Sequence, residues 1–408
     1  MRRLMVFLVF SLASLNAQER YLLPYEPYTP DVIAQGSSFV AVAEGWNALF
    51  GNPAGLSRST GDSFFLISNT GTFLRFKDIS TTVDYIRNGD FANFDLFAPP
   101  PNKVLNFVTD VVTQNGLGFQ QSLGLGVIAN GLGLALILDS QLYGRDQNLV
   151  ASNLEFLASA SLIAGYAHPI VLVAADEPEG EPIVNERGEI PKQKPHWVLH
   201  LGGTTRVSHV YWTEYSILNL LQLLSGGSFN FNHSLYTFPT ISLNLGVLLE
   251  GRNVTFGLSL TDVGGVDLGD RKNDINAVVG GFMLPTSGTK DSFVFVYPTI
   301  LRAGIGWTPD FGEFADIIQP KIHFETRIPI KGLQTPSWLT WFRLGGEVKL
   351  VNFFSLRAGY NAGNVTAGAG FRFFDVWEIN ASFSTEEFGQ YIGDKRLSRL
   401  NFETSLKF

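Results

Sequence analysis

His196 and His200 stand four positions apart, the spacing that on a helix would turn two imidazoles to one side as a metal pair. Their neighbours, Trp197-Val198-Leu199 leading into Gly202-Gly203, read as a strand, where positions four apart are separated by about 13 Å. The expectation is two ordinary histidines and no metal. Gly124-Leu125-Gly126-Val127-Ile128-Ala129 fits the glycine spacing of a dinucleotide-binding turn, yet Asn130-Gly131 follows it and makes a tight turn where that motif needs a helix. Neither a G-x-S-x-G elbow nor a phosphate-cradling Gly-Lys-Ser/Thr occurs. With no cysteine in the chain, thiolate metal sites, disulfides and a lipid anchor on an N-terminal Cys are all excluded. A membrane-embedded hydrolase would need a close cluster of titratable groups at the outer rim, and the sequence places none. The chain therefore reads as a non-enzyme with no cofactor.

The elements that would carry such residues have an unusual composition. Of 408 residues, 45% are hydrophobic and only 16% charged, with 42 Gly and 34 Phe. A soluble chain carries about 25% charged residues, so part of this surface is expected to face something other than water. The net charge of −8 argues against nucleic acid, which demands clustered Lys and Arg to displace phosphate counterions.

Arg2 and Arg3 precede the apolar run Leu4–Leu12, and Leu15-Asn16-Ala17 offers a small residue for cleavage before Gln18. Residues 1–17 read as a signal peptide, too short to span a bilayer as a helix. No later segment has eighteen uninterrupted apolar residues, so if the apolar composition serves a bilayer, a closed barrel is the structure that pairs every backbone group.

The periodicity is two. Ile241, Leu243, Leu245, Val247 and Leu249 share one side against Ser242, Asn244 and Gly246; after Gly251-Arg252-Asn253, Val254, Phe256, Leu258 and Leu260 oppose Thr255, Gly257, Ser259 and Thr261. The alternation recurs in Phe342–Leu350, in Thr366–Phe373 and in the last residues, where Leu400, Phe402, Leu406 and Phe408 oppose Asn401, Glu403, Ser405 and Lys407. A soluble sandwich would show the same alternation. The barrel is favoured by Gly, Ser, Thr and Asn on the second face, by Trp307, Trp338, Trp341, Trp377 and Tyr360 near strand ends, and by an amphipathic last strand stopping on Phe408, which looks like the signal read by the bacterial barrel assembly machinery.

Candidate strands fall at 63–75, 116–128, 131–143, 154–174, 196–210, 237–250, 253–262, 277–284, 293–306, 318–330, 338–350, 353–361, 364–373, 377–387 and 397–408. Fifteen is odd, and a barrel with both ends on one side needs an even number; the surplus is expected among the short runs after Asp291. Ala129-Asn130-Gly131 and Gly251–Asn253 are the expected periplasmic turns. Ile79–Gln114 and Tyr211–Leu224 have apolar residues at helical spacing and are expected outside the wall, either packed on neighbouring loops or offering a landing surface for a hydrophobic ligand. Asp176–Lys194, with three prolines and six acidic residues, reads as a solvated loop.

Between the leader and the first strand lies DVIAQGSSFVAVAEGWNALFGNPAGL, residues 31–56. Its Gly-small-aromatic stretch, Ala43, Glu44, Asn47 and Ala48, and then Asn52-Pro53-Ala54-Gly55-Leu56, resemble the N-terminal segment of the FadL-type long-chain fatty acid transporters and their outer-membrane relatives. Asn52, Pro53 and Ala54 match that family's Asn-Pro-Ala motif. By its chemistry the unit should stop a helix and turn the chain into the first strand, since Asn before Pro is not helical and Gly55 tolerates positive φ.

The resemblance implies an all-β fold: a transmembrane antiparallel β-barrel of about 14 strands with a small N-terminal hatch, divided here as signal peptide 1–17, hatch segment 18–62 and barrel 63–408. It implies passive uptake of hydrophobic molecules, fatty acids foremost, across the bacterial outer membrane, with outer-membrane lipids around the wall. Cargo would move through a greasy lumen pocket over the hatch and leave sideways when the hatch shifts. Phe39, Trp46, Leu49 and Phe50 are the expected hatch residues lining that pocket, plain packing being their other reading. The alternative function is a structural or protein-binding barrel, like the shuttle-type relatives, moving no small molecule.

Overall fold

The alternation closes into a ring. The computed structural model describes residues 18–22, 25–59, 63–73, 118–144, 153–174, 197–216, 234–267, 271–274, 293–314, 317–331, 337–351, 353–374, 376–387, 391–392 and 396–408, with isolated positions near residue 85. Numbered along the chain, the strands are β1 (Gln18–Tyr21), β2 (Ser63–Phe73), β3 (Gly118–Ala129), β4 (Leu132–Gly144), β5 (Asn153–Val173), β6 (Trp197–Ser216), β7 (Ser234–Gly251), β8 (Val254–Asp267), β9 (Arg271–Asp274), β10 (Phe293–Val296), β11 (Thr299–Trp307), β12 (Ile318–Lys331), β13 (Phe342–Leu350), β14 (Phe354–Asn361), β15 (Asn364–Phe373), β16 (Trp377–Glu387) and β17 (Arg396–Lys407). All but the four-residue β1, β9 and β10 form the wall, a closed antiparallel barrel of 14 strands. It closes where β17 pairs with β2 and β8 pairs with β11.

That closure corrects the surplus strand. Because β8 bonds directly to β11, no wall position remains between them, and the 277–284 run lies outside the described residues. Each run after Asp291 contributes a wall strand, with two changes: 293–306 divides into β10, outside the wall, and β11 within it, and Trp338–Trp341 is a 3-10 turn ahead of β13. Tyr211–Ser216 is the end of β6 and not the start of a helix. Cross-strand bonds to β5 continue to Ser216 and those to β7 to Trp212, and this pairing decides the conformation where helical spacing was read. The rest of that stretch, nearly all of 79–114, and Asp176–Lys194 lie outside the described residues.

Facing follows the pleat. Leu125, Leu134 and Phe402 are 42%, 52% and 55% exposed on the outside, whereas inward Ser161 and Glu403 are 0% and 2% exposed. An unbroken belt of exposed Leu, Val, Ile and Phe has no place in water and suits a bilayer's hydrocarbon. Aromatics fringe it at both ends, Trp307 and Trp377 at the rim bearing the ends of the barrel chain, Trp338, Trp341 and Tyr360 at the other. At the first rim Phe64 and Phe408 exchange backbone hydrogen bonds of 2.9 and 3.0 Å. Both expected tight turns lie there, Asn130 (φ 49°) and Gly131 (φ 81°) supplying the left-handed pair that the β3–β4 hairpin needs.

Candidate functional site

Residues 25–59 lie within the ring. The segment is built from short pieces: a helix Pro30–Ala34, whose proline at the first position presets its φ, a turn Gly45–Ala48, and a 3-10 turn Pro53–Arg58. None is long enough to be stable alone. The wall supplies the rest.

Asn52-Pro53-Ala54 starts a turn where stopping a helix was expected. Asn52 is extended (φ −141°, ψ 100°), and its side chain caps the 3-10 turn by accepting the Ala54 N–H at 3.2 Å. Its amide nitrogen donates to the carbonyls of Val40 (2.8 Å) and Val247 (3.1 Å), so one buried Asn joins the segment to itself and to β7. Pro53 and Ala54 rest on Gly202, where an added Cβ would come within 2.5 Å of their backbone, and Asn52 rests on Gly246, where a Cβ would overlap its side-chain oxygen. The wall is glycine at these points because the segment's backbone occupies the space of a side chain.

The expected lining residues divide into two groups. Trp46 (5% exposed) stands edge-on to Phe50 at 5.6 Å and covers Gly124 and Gly126 of β3, while fully buried Leu49 packs at Gly133 of β4 and its carbonyl accepts from Thr204 at 3.1 Å. Phe50 meets Tyr25 edge-on at 6.4 Å. Phe39 is apart from these, against Tyr28 at 6.0 Å and over Gly51. All four belong to one packed apolar cluster.

Above Tyr25 that cluster continues on inward faces of the wall. Ile137, Leu157, Val210, Trp212 and Phe238 are buried there, and Phe295 of β10 stacks on Phe238 at 4.4 Å and meets Trp212 at 5.4 Å. Beneath it lie buried Asp139, which accepts from Gln120 and Gln141, and a paired guanidinium. Arg206 is sandwiched by the rings of Tyr25 (3.8 Å) and Tyr297 (4.5 Å), pairs with Asp262 at 2.5 Å and donates to Ser242 at 3.1 Å. Asp262 reaches it from a bulge in β8, with φ of 56° at Asp262 and 71° at Gly264.

Across the lumen the wall is ionic. Glu325, fully buried, accepts the backbone N–H groups of Phe39 (2.6 Å) and Val40 (2.8 Å) and pairs with Arg327 at 2.7 Å. Arg327 also grips the Ser37 carbonyl, and both Arg327 (2.8 Å) and Arg302 (2.5 Å) hold Glu26. Burial opposes the Glu26 charge, but these guanidiniums outweigh it and hold its pKa at about 2. His323 bridges Ser38 and Gln35, each at 2.9 Å, and Thr366 donates to the Ala34 carbonyl at 2.7 Å. Lys321, 3.3 Å from Glu44, keeps that carboxyl well below its ordinary range.

His196 lies outside the described residues, and His200 is a buried residue of β6. Its Nδ1 is 2.8 Å from Ser57 Oγ and its Nε2 3.2 Å from Glu250, which also pairs with Arg58. The constellation has the residue types of a Ser-His-acid triad, but Ser57 already donates its one proton to the Ala54 carbonyl at 2.9 Å, so the hydroxyl is an anchor and not an activated nucleophile. Gly124 and Gly126 lie within β3 beneath Trp46, not at a phosphate-binding turn. Among the described residues no three His, Cys, Asp or Glu converge to hold a metal.

Sequence reasoning did not single out Glu26, Arg206, Asp262, Arg302, Glu325 or Arg327. Each wall residue among them sits on the polar face of an amphipathic strand, a signal for the lumen that names no partner.

No family model matches the sequence, and no curated protein sequence is similar to it. Solved structures similar to the chain include the Pseudomonas putida toluene transporter TodX (13% identity, 95% of this chain and 99% of that one, TM-score 0.45), the Ralstonia pickettii toluene transporter TbuX (10%, 94% and 98%, 0.45) and a Pseudomonas aeruginosa FadL homologue (11%, 93% and 98%, 0.38).

Proposed function

We propose that this protein is a bacterial outer-membrane channel for the passive uptake of hydrophobic molecules, with long-chain fatty acids as the cargo. The observation that carries the reading is the apolar cluster in which Leu157, Val210, Trp212 and Phe238 of the inner face meet Phe295 of β10, within a barrel whose outer face is already apolar. A wall sealed for stability alone needs nothing greasy inside. A water-filled lumen would reject an acyl chain at about 0.8 kcal/mol per CH₂ left wet, so a conduit for such cargo requires inward apolar surface.

On this reading residues 18–62 act as the hatch. Cargo gathers against the aromatic half of the lumen, and Phe39, Trp46, Leu49 and Phe50 become its lining as the hatch yields. Outer-membrane lipids surround the belt, and amphipathic β17 is what the assembly machinery reads. The rim with the short turns then faces the periplasm. A second reading, a structural or protein-binding barrel, is favoured by the density of bonds between the N-terminal segment and the wall on both sides of the lumen.

Uptake of fluorescent fatty acid into proteoliposomes separates the two. The whole protein should transport slowly and a form lacking Gln18–Leu56 much faster. If neither form passes fatty acid or a neutral hydrocarbon, the channel reading is lost and the interaction barrel takes its place.

A further inference from the structure

The outward apolar belt does not end at one level around the ring. At the rim carrying Ser63 and Phe408, the two short turns on the β2–β8 side are polar, Asn130-Gly131 and Arg252-Asn253, while the end of β5 beyond them is exposed and apolar from Ile170 to Val173. On the β11–β16 side the turns at the same rim carry exposed apolar side chains, with Asp310 beside them in the first. Phe314 and Ile317 between β11 and β12 are 63% and 54% exposed, Val351 between β13 and β14 is 68% exposed, and Phe374 between β15 and β16 is 94% exposed.

Two of these tips are also in the wrong backbone for their type. Val351 and Phe374 have φ of 51° and 54°, the left-handed region in which Gly and Asn sit readily and a β-branched or bulky residue is strained. Asn130, with φ 49° at the same rim, has the ordinary solution. An apolar side chain at a strained, solvent-directed tip is explained by what the side chain touches, because the backbone gains nothing from it.

The tips form one surface with the belt. Val351 N–H donates to the Ile317 carbonyl at 2.9 Å, Arg372 N–H to Phe353 at 2.8 Å and Lys407 N–H to Val376 at 2.7 Å, so each turn is bonded to the next. The Phe353 ring packs on Phe371 (5.7 Å) and Phe373 (5.4 Å), outward residues of β15. Apolar surface thus runs without interruption from the lipid-facing wall onto the turns.

We propose that this sector of the rim is sunk into the headgroup–acyl boundary of the adjoining leaflet, with Val351 and Phe374 as its anchors. The occupant is lipid because the patch continues a surface that already faces lipid, and because apolar tips bury themselves at that boundary without a shaped partner. The proposal rests on the lipid-belt reading and is independent of the cargo.

The chain has no cysteine, so single labels report single places. Phe374→Cys, Val351→Cys, Asn130→Cys and Leu125→Cys, each carrying a nitroxide, are reconstituted into phosphatidylcholine–phosphatidylglycerol vesicles. Relaxation by oxygen, which partitions into lipid, is compared with relaxation by a water-soluble nickel chelate. Labels at 374 and 351 should respond to oxygen in preference to nickel, like the belt label at 125, while the label at 130 responds to nickel. If 125 reports lipid but 374 and 351 report water, or are shielded from both reagents as under a protein partner, the proposal is overturned and the belt stands. A water-accessible label at 125 would overturn both.

Discussion

The two sides of the lumen are built from strands with the same outer face and opposite inner chemistry. From β4 to β8 the inner surface carries the buried apolar group Ile137, Leu157, Val210, Trp212 and Phe238 among Ser and Thr side chains, with Arg206 neutralised by Asp262 and Asp139 held by Gln120 and Gln141. From β11 to β15 it is Arg302, His323, Glu325, Arg327, Glu347 and Arg357, with few apolar groups. The difference is one of job. Charges in a lumen are costly to desolvate and are held there by specific partners, and here those partners are backbone groups of residues 37–40 and the Glu26 carboxylate. The ionic side clamps residues 26–40 through charged groups; on the other side β6 and β7 hold residues 49–58 through Thr204, the Val247 carbonyl, His200 and Glu250, and the rings and methyl groups lie beyond those bonds, where contacts tolerate sliding and exchange.

If so, the halves should fail differently. The largest effect is expected from Glu325→Ala, which leaves Arg327 and Arg302 buried without their central carboxylate and strips two N–H groups of their acceptor. A loss of about 3–5 kcal/mol is expected, read as lost hydrogen-exchange protection at Phe39 and Val40. Unchanged protection there would remove the clamp. Phe238→Ala should cost about 3 kcal/mol in overall unfolding by leaving a cavity, but protection at Phe39 and Val40 should persist while fatty acid uptake changes. Parallel loss of both would mean that the two halves are one unit.

A bulkier wall residue tests the seat of Asn52-Pro53-Ala54. Gly246→Val drives a side chain into Asn52 and should cost about 1–3 kcal/mol, with protease cleavage appearing between residues 40 and 59; intact resistance would mean that the motif does not need its glycine bed. The smallest effect is that of pH on Glu26. Its folded pKa, about 2, lies below its ordinary value of 4.5, so its contribution is fully present above 4.5 and disappears as pH falls through 2. Acid should loosen residues 25–28 before the wall opens, and Glu26→Gln should abolish that step. An identical acid transition in the variant would assign it to another group.

The amphipathic alternation was sufficient for the wall. A period of two with Leu, Val and Phe on one side and Gly, Ser and Asn on the other sets which face is out, because a strand has only two faces and register errors of one residue would turn every Leu inward. The turns at Asn130-Gly131 and Gly251–Asn253 were equally readable, being local chemistry. The correction was a local boundary: Tyr211–Leu224 reads as helical from spacing at Ile217–Leu224, outside the described residues, while pairing with β5 and β7 makes Tyr211–Ser216 strand.

What residues 25–59 touch was not readable, and the reason is distance along the chain. Glu325 meets Phe39 and Val40 across some 285 positions, and Asn52 meets Val247 across 195. A glycine such as Gly202 looks the same in sequence whether it fills a strand or makes room for Pro53. Charge and small size at an inward position announce a lumen, but the choice of partner is made when the ring closes and brings distant strands to bear on one short segment. The sequence by itself determined the strands and their two faces, since these follow from periodicity; tertiary closure alone made them one ring and decided which inward groups hold the segment and where the inner wall is left apolar.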